Sequence, residues 1–462
     1  MISGLKQLRT FSRAELAVVL VGLAVVVPEG YDLIVYGSTL PAMLAYEPWS
    51  LTLGQAGLLG SLALIGMAAS QTISGIATDR IGRRRVILFG TFLYSAASLL
   101  CAAAPNPAVL GIGRFLVGLG AGAVMTVVVA LVFEYSPQAH RNVNLAIVLA
   151  GTGLGGAAAT LVSIFAVPTF GFQFAYGVGA LAGLVAIIFA ARYLPESVVF
   201  LQAAGKPEQA AQWAKRLNFV PVDTGAAAVD APSAPGTSRA RLLTLFSSRY
   251  RATTILLGLA FLIMSLLAFG LLTWLPQLMR TAGYPLGSAL TFLLILNLGV
   301  AIGPVLMGRL GDVLGSKRTI VIAFLLSLAG IVGLSFSFAP MFAVYAAALI
   351  AGTGIVGAKS LLSVLVASSY PTEIRATAVG TALTMGSVGG FLGPVFGSAI
   401  LAAGLPGSWN FYAFALPALL GILCVVLVSR GASRPRLAPH VDRQADASPS
   451  SRQEEETAER PV

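Results

Sequence analysis

The stretch GIATDRIGRRR (75–85) decides how this chain folds, because the chain carries it twice. The second copy, GRLGDVLGSKR (308–318), keeps Gly75, Asp79 and Gly82 as Gly308, Asp312 and Gly315, an offset of 308 − 75 = 233 residues. Each copy sets G-x-x-x-D-x-x-G ahead of a basic run. A second pair lies further along. RFLVGLGAGAV…YSPQAHR (114–141) matches ALIAGTGIVGA…SYPTEIR (348–375), so that Gly118, Gly120, Pro137 and Arg141 fall on Gly352, Gly354, Pro371 and Arg375 at 375 − 141 = 234. Two different motifs at nearly one offset mean an internal repeat of parallel halves.

What repeats is a set of membrane spans. The chain is 57% hydrophobic and only 10% charged, with a mean hydropathy of +0.87. A soluble domain carries about 25% charged residues, so this chain cannot cover a water-facing surface. Its apolar segments are about 20 residues or longer, as a helix crossing a bilayer requires. They lack the alternation of a membrane β-strand. The reading gives twelve spans: 14–44, 53–78, 86–104, 108–134, 142–167, 172–194, 252–279, 286–308, 319–338, 340–368, 374–402 and 408–430. The organisation is then a six-helix bundle over 1–194, a cytoplasmic loop over 195–251, a second six-helix bundle over 252–430 and a disordered cytoplasmic tail over 431–462. Most basic residues fall on one side of these spans: Lys6, Arg9, Arg13, Arg80, Arg83, Arg84, Arg85, Arg141, most of those in the 195–251 loop, Arg309, Lys317, Arg318, Arg375 and Arg430; the other side has Arg280 and little else. By the positive-inside rule the basic side is cytoplasmic, with both termini inside a multi-pass plasma (inner) membrane protein. This topology accounts for much of the net charge of +11 without a nucleic-acid partner. The N-terminal apolar run continues through Glu29 and Asp32 to about Leu44, too long for a cleaved signal sequence. Cys101 and Cys424 stand alone in opposite halves and form no metal-spaced cluster.

These motifs resemble those of the major facilitator superfamily. GIATDRIGRRR is similar to its signature between the second and third spans, RFLVGLGAGAV to its fourth-span motif, and LPESVVFL to the element closing its sixth span. Within it, EGYDLIVYGSTLP (29–41) and SYPTEIRATAVG (369–380) resemble the first-span motif and the eleventh-span entry of the aromatic acid/proton symporters. Two positions depart from that pattern: Glu29 stands where the family has Asp, and Ser387 stands about where many members carry an Arg. The resemblance implies an all-α membrane protein of two pseudo-symmetric six-helix bundles, with a site between them at mid-membrane.

A charge at the bilayer centre costs several kcal/mol, so the charges kept inside the spans are candidate functional groups: Glu29, Asp32, Arg114 and Lys359. Glu29 and Asp32 are i, i+3 and project from one side of a helix. Two close carboxylates in a low dielectric repel, and one is expected to hold a proton, which makes them the expected proton-coupling site on a cavity wall. Pro28 and Gly30 are expected to loosen that helix. Arg114 is expected to bind an anion or pair with a first-half carboxylate; the resemblance ties it to proton coupling. Lys359 lies opposite Met125 at the repeat offset (359 − 234), so its charge is not part of the shared scaffold. It is expected to meet a substrate carboxylate in place of the Arg missing near Ser387, the other reading being a lysine that snorkels to the interface. Tyr31, Tyr36, Phe269, Trp274 and Asn297 are the expected cavity walls. Asp79, Arg80, Arg83, Arg84 and Asp312, together with Glu134, Arg141, Glu373 and Arg375, are expected to form state-dependent salt bridges as a cytoplasmic gate; positive-inside topology alone is the competing explanation.

No nucleophile–base set, metal cluster or phosphate loop is present, so the chain reads as no enzyme, with the proton as coupling ion and no other cofactor. The expected function is proton-coupled uptake of a small carboxylate, an aromatic acid, by a monomer. The alternative is a proton-coupled antiporter exporting drugs or metabolites.

Overall fold

The computed structural model describes residues 13–137, 140–217, 238–336, 339–357 and 359–428. The expected tail at 431–462 lies outside them. Among the described residues, 12 helices are long and apolar enough to cross a membrane. In the first half they are α1 (Arg13–Leu44), α2 (Leu53–Ile81), α3 (Arg83–Ala102), α4 (Pro107–Tyr135), α5 (Arg141–Phe170) and α6 (Phe172–Tyr193). In the second half they are α7 (Arg251–Thr281), α8 (Leu286–Leu314), α9 (Ser316–Gly333), α10 (Met341–Gly357 and Lys359–Ser369), α11 (Thr372–Ala402) and α12 (Gly407–Leu427). Shorter helices at Val198–Ala203, Pro207–Leu217 and Ser238–Leu245 lie between the halves.

The helix ends follow local chemistry. Thr52 starts α2 with a capping box to Gln55, and Asn106 caps α4 ahead of Pro107; each satisfies main-chain donors that the first turn leaves unpaired. α2 and α8 run a few residues past the expected ends, to Ile81 and Leu314, and stop at Gly82 (φ 91°) and Gly315 (φ 84°). Asp79 and Asp312 therefore sit in the last helical turn rather than in a loop. The repeat goes beyond the motifs. Ser50 and Gly283 (283 − 50 = 233), and Gly171 and Gly404 (404 − 171 = 233), also share left-handed backbone. Only backbone geometry reveals the first of these pairs, since Ser50 is not a glycine.

Packing obeys the same symmetry. α1 lies on α5 as α7 lies on α11, α2 on α4 as α8 on α10, and α3 on α6 as α9 on α12. The GxG runs are close crossings: a Cβ at Gly118 would fall 1.8 Å from the Ala63 carbonyl oxygen, and one at its repeat partner Gly352 2.1 Å from that of Leu296. Without a hydrophobic drive between helices in lipid, such backbone proximity is what holds a bundle together.

The halves meet along α1/α7, α2/α11 and α5/α8. Their described close contacts lie at mid-span or toward the face away from the basic residues. Ser61 Oγ donates to the Phe391 carbonyl at 2.7 Å, a Cβ at Gly37 would collide with the Leu272 carbonyl, and one at Gly153 with Ala301. Toward the basic face, Ile73, Asp79 and Arg80 of α2 and Arg375, Ala376 and Gly380 of α11 are exposed. The halves close on one side and open on the basic side.

Gly118→Val should abolish a monodisperse folded species in detergent size-exclusion chromatography, because overpacking costs about 1–3 kcal/mol or more. Gly380→Ala, at an exposed glycine whose Cβ would meet nothing within 4 Å, should elute as the unaltered protein.

Candidate functional site

Three groups of polar side chains stand out, and only one lines an open cleft between the halves. The first is a buried node inside the first bundle. Glu29 and Asp32 are both 0% exposed. Asp32 Oδ1 accepts from Ser98 Oγ on α3 at 2.5 Å. Glu29 Oε2 accepts a long bond, 3.5 Å, from Thr152 Oγ1 on α5. The other carboxyl oxygen of each, Glu29 Oε1 and Asp32 Oδ2, has no hydrogen-bond partner among the described residues. Arg114 Nη1 donates to the main-chain oxygen of Asp32 at 2.6 Å rather than to its carboxylate, and the guanidinium covers the Tyr36 ring at 5.1 Å.

This placement corrects two expectations. α1 is unbroken through Pro28 and Pro41, so Pro28 and Gly30 do not loosen it; Gly30 serves close approach, since its Cβ would lie 2.4 Å from the Thr152 backbone. The acidic pair also does not line the cleft between the halves. Gly155 of α5 abuts Val27 and Tyr31, and Gly179 of α6 abuts the Asp32 carboxylate. The acidic face of α1 is thereby turned inward, against α3, α5 and α6. Tyr31 donates to the Ala175 carbonyl (2.8 Å) and Tyr36 to that of Ala56 (2.6 Å), so both hydroxyls are spent within the first half. Trp274 donates to the Pro394 carbonyl at 2.7 Å and is fully buried between α7 and α11. Asn297 is buried where α8 meets Gly156 of α5, with Nδ2 on the Leu293 carbonyl and Oδ1 unpartnered. None of these four lines the cleft.

The second group is the cleft itself. It opens between the halves and is walled by Leu64, Met67, Ala68 and Gln71 of α2, Phe261 and Phe269 of α7, Lys359 of α10, and Leu383, Gly386, Ser387 and Gly390 of α11. The Lys359 ammonium stands 5.7 Å from the centre of the Phe269 ring, within cation–π range. It faces the cleft and does not snorkel to the interface. Lys359 and Ser387, a cation gained and the position where a cation is missing, share this one cleft. A mostly apolar hollow with a few convergent polar groups is what small-molecule sites look like.

The third group lies at the basic face. Arg83 pairs with Glu134 at 2.7 Å and donates to Ser197 Oγ at 2.8 Å. Arg84 donates its main-chain N–H to Glu196 (3.1 Å) and its side chain to the Ala191 carbonyl (2.6 Å). Tyr135 donates to the Glu196 carbonyl at 2.7 Å. Every member belongs to the first half or the segment following α6. Glu134 is thus paired with Arg83 rather than with a residue across the halves, and Arg141 lies over the Phe133 ring at 5.3 Å. Asp79, Arg80, Asp312 and Arg375 are exposed, and no ion pair joins them among the described residues. Glu373 is exposed in the first turn of α11.

Sequence reasoning missed Ser98, Thr152 and Gln71, since hydroxyls and amides are common in spans and nothing in their local pattern says where they point. It also passed over Glu15, which is buried in α1, accepts from Asn144 at 2.6 Å and lies 3.3 Å from His140 Nδ1.

Comparison with known proteins is consistent throughout. The Major Facilitator Superfamily profile matches residues 23–394 and 291–455. A gentisate transporter of Corynebacterium glutamicum is 34% identical over 91% of this chain and 88% of its own length. A benzoate transport protein of Acinetobacter baylyi is 30% identical over 89% of each chain. Among solved structures, an inward open conformation of the xylose transporter XylE from E. coli matches with a TM-score of 0.70 at 15% identity, over 91% of this chain and 98% of that one.

The basic-face network makes a testable claim. Arg83→Ala should release the segment after α6, so trypsin should cut after the exposed Lys215 several times faster. Because Arg83 and Glu134 act as one pair, Arg83→Ala/Glu134→Ala should be cut little faster than Arg83→Ala alone. Additive rates would separate the two residues.

Proposed function

The chain belongs to the major facilitator superfamily of transporters, and from that premise we propose that it carries a small aromatic carboxylate into the cell by proton symport. The observation that carries the reading is Lys359, a cation beside an aromatic ring in the cleft between the halves. A carboxylate on a ring has two needs: a positive charge for its anion and an apolar wall for its face. Lys359 answers the first; Phe269, Phe261 and Met67 answer the second. The names of the most similar proteins, a gentisate and a benzoate transporter, support the same substrate class. The cation also weighs against an exporter of cationic drugs.

Protons enter through the acidic node. A bare carboxylate in a dry bundle is costly unless paired or neutralised, and Glu29 and Asp32 each keep one oxygen without a donor. Protonation there relieves the buried charge without touching the substrate. The node reaches the second half through named contacts. Arg114 joins the Asp32 main chain to the Tyr36 ring, Tyr36 bonds α2 at Ala56, and α2 bonds α11 through Ser61. Proton occupancy thereby biases the junction that must open for alternating access. In this reading the open basic side is cytoplasmic by the positive-inside rule and the membrane is the plasma membrane, so the cleft faces in. Asp79, Arg80, Asp312, Glu373 and Arg375 stand at that mouth as the gate that pairs when it closes. One chain supplies both walls of the cleft, so a monomer is the transport unit.

In proteoliposomes with an acidic exterior, labelled gentisate and benzoate should accumulate above their equilibrium level, and the amide of benzoate should not. Lys359→Gln should raise the KM for the acid by about tenfold or more, the scale of a lost charge-assisted contact. Wild-type KM and rate in Lys359→Gln would refute the substrate role of Lys359, and no gradient-driven uptake of any aromatic acid would refute the reading as a whole.

A further inference from the structure

α3 and α9 begin at repeat-related places on the basic face, and among the described residues a carboxylate covers the first start and not the second. In the first half a carboxylate is seated there. Glu196 Oε1 accepts the Arg84 main-chain N–H at 3.1 Å, and a Cβ at Gly82 would lie 2.5 Å from Glu196 Oε2 and 2.8 Å from the Phe200 ring. In the second half, Gly315, Lys317 and Arg318 stand where Gly82, Arg84 and Arg85 stand in the first (82, 84 and 85 plus 233). Lys317 repeats the work of Arg84: its ammonium donates to the Val426 and Val428 carbonyls at the end of α12, at 3.0 and 2.6 Å. The seat beside it is different. A Cβ at Gly315 would meet no atom within 4 Å. A cleft of about 700 Å³ lies here instead, lined by Lys317, Arg318, Val321, Ile322, Val426 and Leu427.

We infer that this cleft binds the phosphate headgroup of an anionic phospholipid, with an acyl chain along its apolar wall. Three features point to that occupant. Arg318 supplies exposed positive charge, and the first turn of α9, which no described side chain caps, supplies main-chain donors. These are the functions that Glu196 meets in the first half. The remaining lining is aliphatic, and Val426 and Leu427 are more than half exposed on the outer surface of α12, where a membrane protein meets lipid. A free phosphate would have no use for that wall. The cleft also lies on the basic face, where anionic headgroups gather.

The test is lipid retention by the full-length protein. Delipidated protein in neutral detergent is titrated with phosphatidylglycerol or phosphatidylcholine and read by native mass spectrometry. Wild type should bind a first phosphatidylglycerol more tightly than phosphatidylcholine. Arg318→Gln should weaken that binding about fivefold, the scale of one basic residue at an anionic surface. Arg85→Gln, the repeat-related change beside a filled seat, should leave it within about twofold. Arg318 and Arg85 are both exposed, so neither change threatens folding, which the elution profile checks. Equal losses in the two variants, or none, would overturn the site. Displacement of the lipid by millimolar inorganic phosphate would overturn a lipid occupant. So would a gain in phosphatidylglycerol affinity in Glu454→Gln/Glu455→Gln/Glu456→Gln, which would place the chain's own acidic end in the cleft.

Discussion

Burying two carboxyl groups in hydrocarbon is the constraint on which the rest of this protein turns. Glu29 and Asp32 lie one helical turn apart, fully enclosed, each with one oxygen bonded and one bare. A structure that needed only stability would replace them with apolar groups. Keeping them requires Ser98 and Thr152 as donors, Arg114 nearby, and glycines at 30, 155 and 179 so that neighbouring helices can close around them. The first bundle is built around this node. Its counterpart in the second half has no such acids and packs α7 on α11 with side chains such as Trp274 instead.

The two halves therefore divide the labour. The first half holds the buried acids, the second contributes Lys359, and α2 and α11 complete the cleft. Among the described residues they touch through few polar bonds, one of them from Ser61 to the Phe391 carbonyl. Such a junction is easy to break and remake, as two rocking bodies demand. On the basic side Asp79, Arg80, Asp312 and Arg375 are exposed, while the first half keeps its own network around Arg83, Glu134 and Glu196. In the proposed function substrate and proton need not meet: one would act on the cleft, the other on the helix that braces it.

The fold was legible in the sequence because hydrophobic length and repeated motifs are properties of the chain itself. The offset of 233 between GIATDRIG and GRLGDVLG specified the two halves, and the helix limits followed within a few residues except where α8 ran on to Gly315 and α9 stopped at Gly333, short of the expected 338. Which residues were charged inside the membrane was equally plain. Where they pointed was not. A three-residue spacing places Glu29 and Asp32 on one side of α1, but only the packing of Gly155 and Gly179 decides that this side faces inward. Tyr31, Tyr36 and Trp274 read as cavity walls by type, yet each bonds a carbonyl within its own half. Lys359 and Ser387 were linked in the sequence only as a gain and a loss of charge; three-dimensional structure puts them on one cleft.

The central claim is that the buried acids bind the proton that drives transport and do not bind the substrate. Asp32→Asn separates these roles in one preparation, by following proton entry with an internal pH dye alongside labelled acid. The variant should exchange labelled for unlabelled gentisate across the membrane at a rate near that of wild type. It should lose both proton entry on addition of substrate and accumulation against a gradient. Retention of substrate-driven proton entry and accumulation in Asp32→Asn would contradict the account.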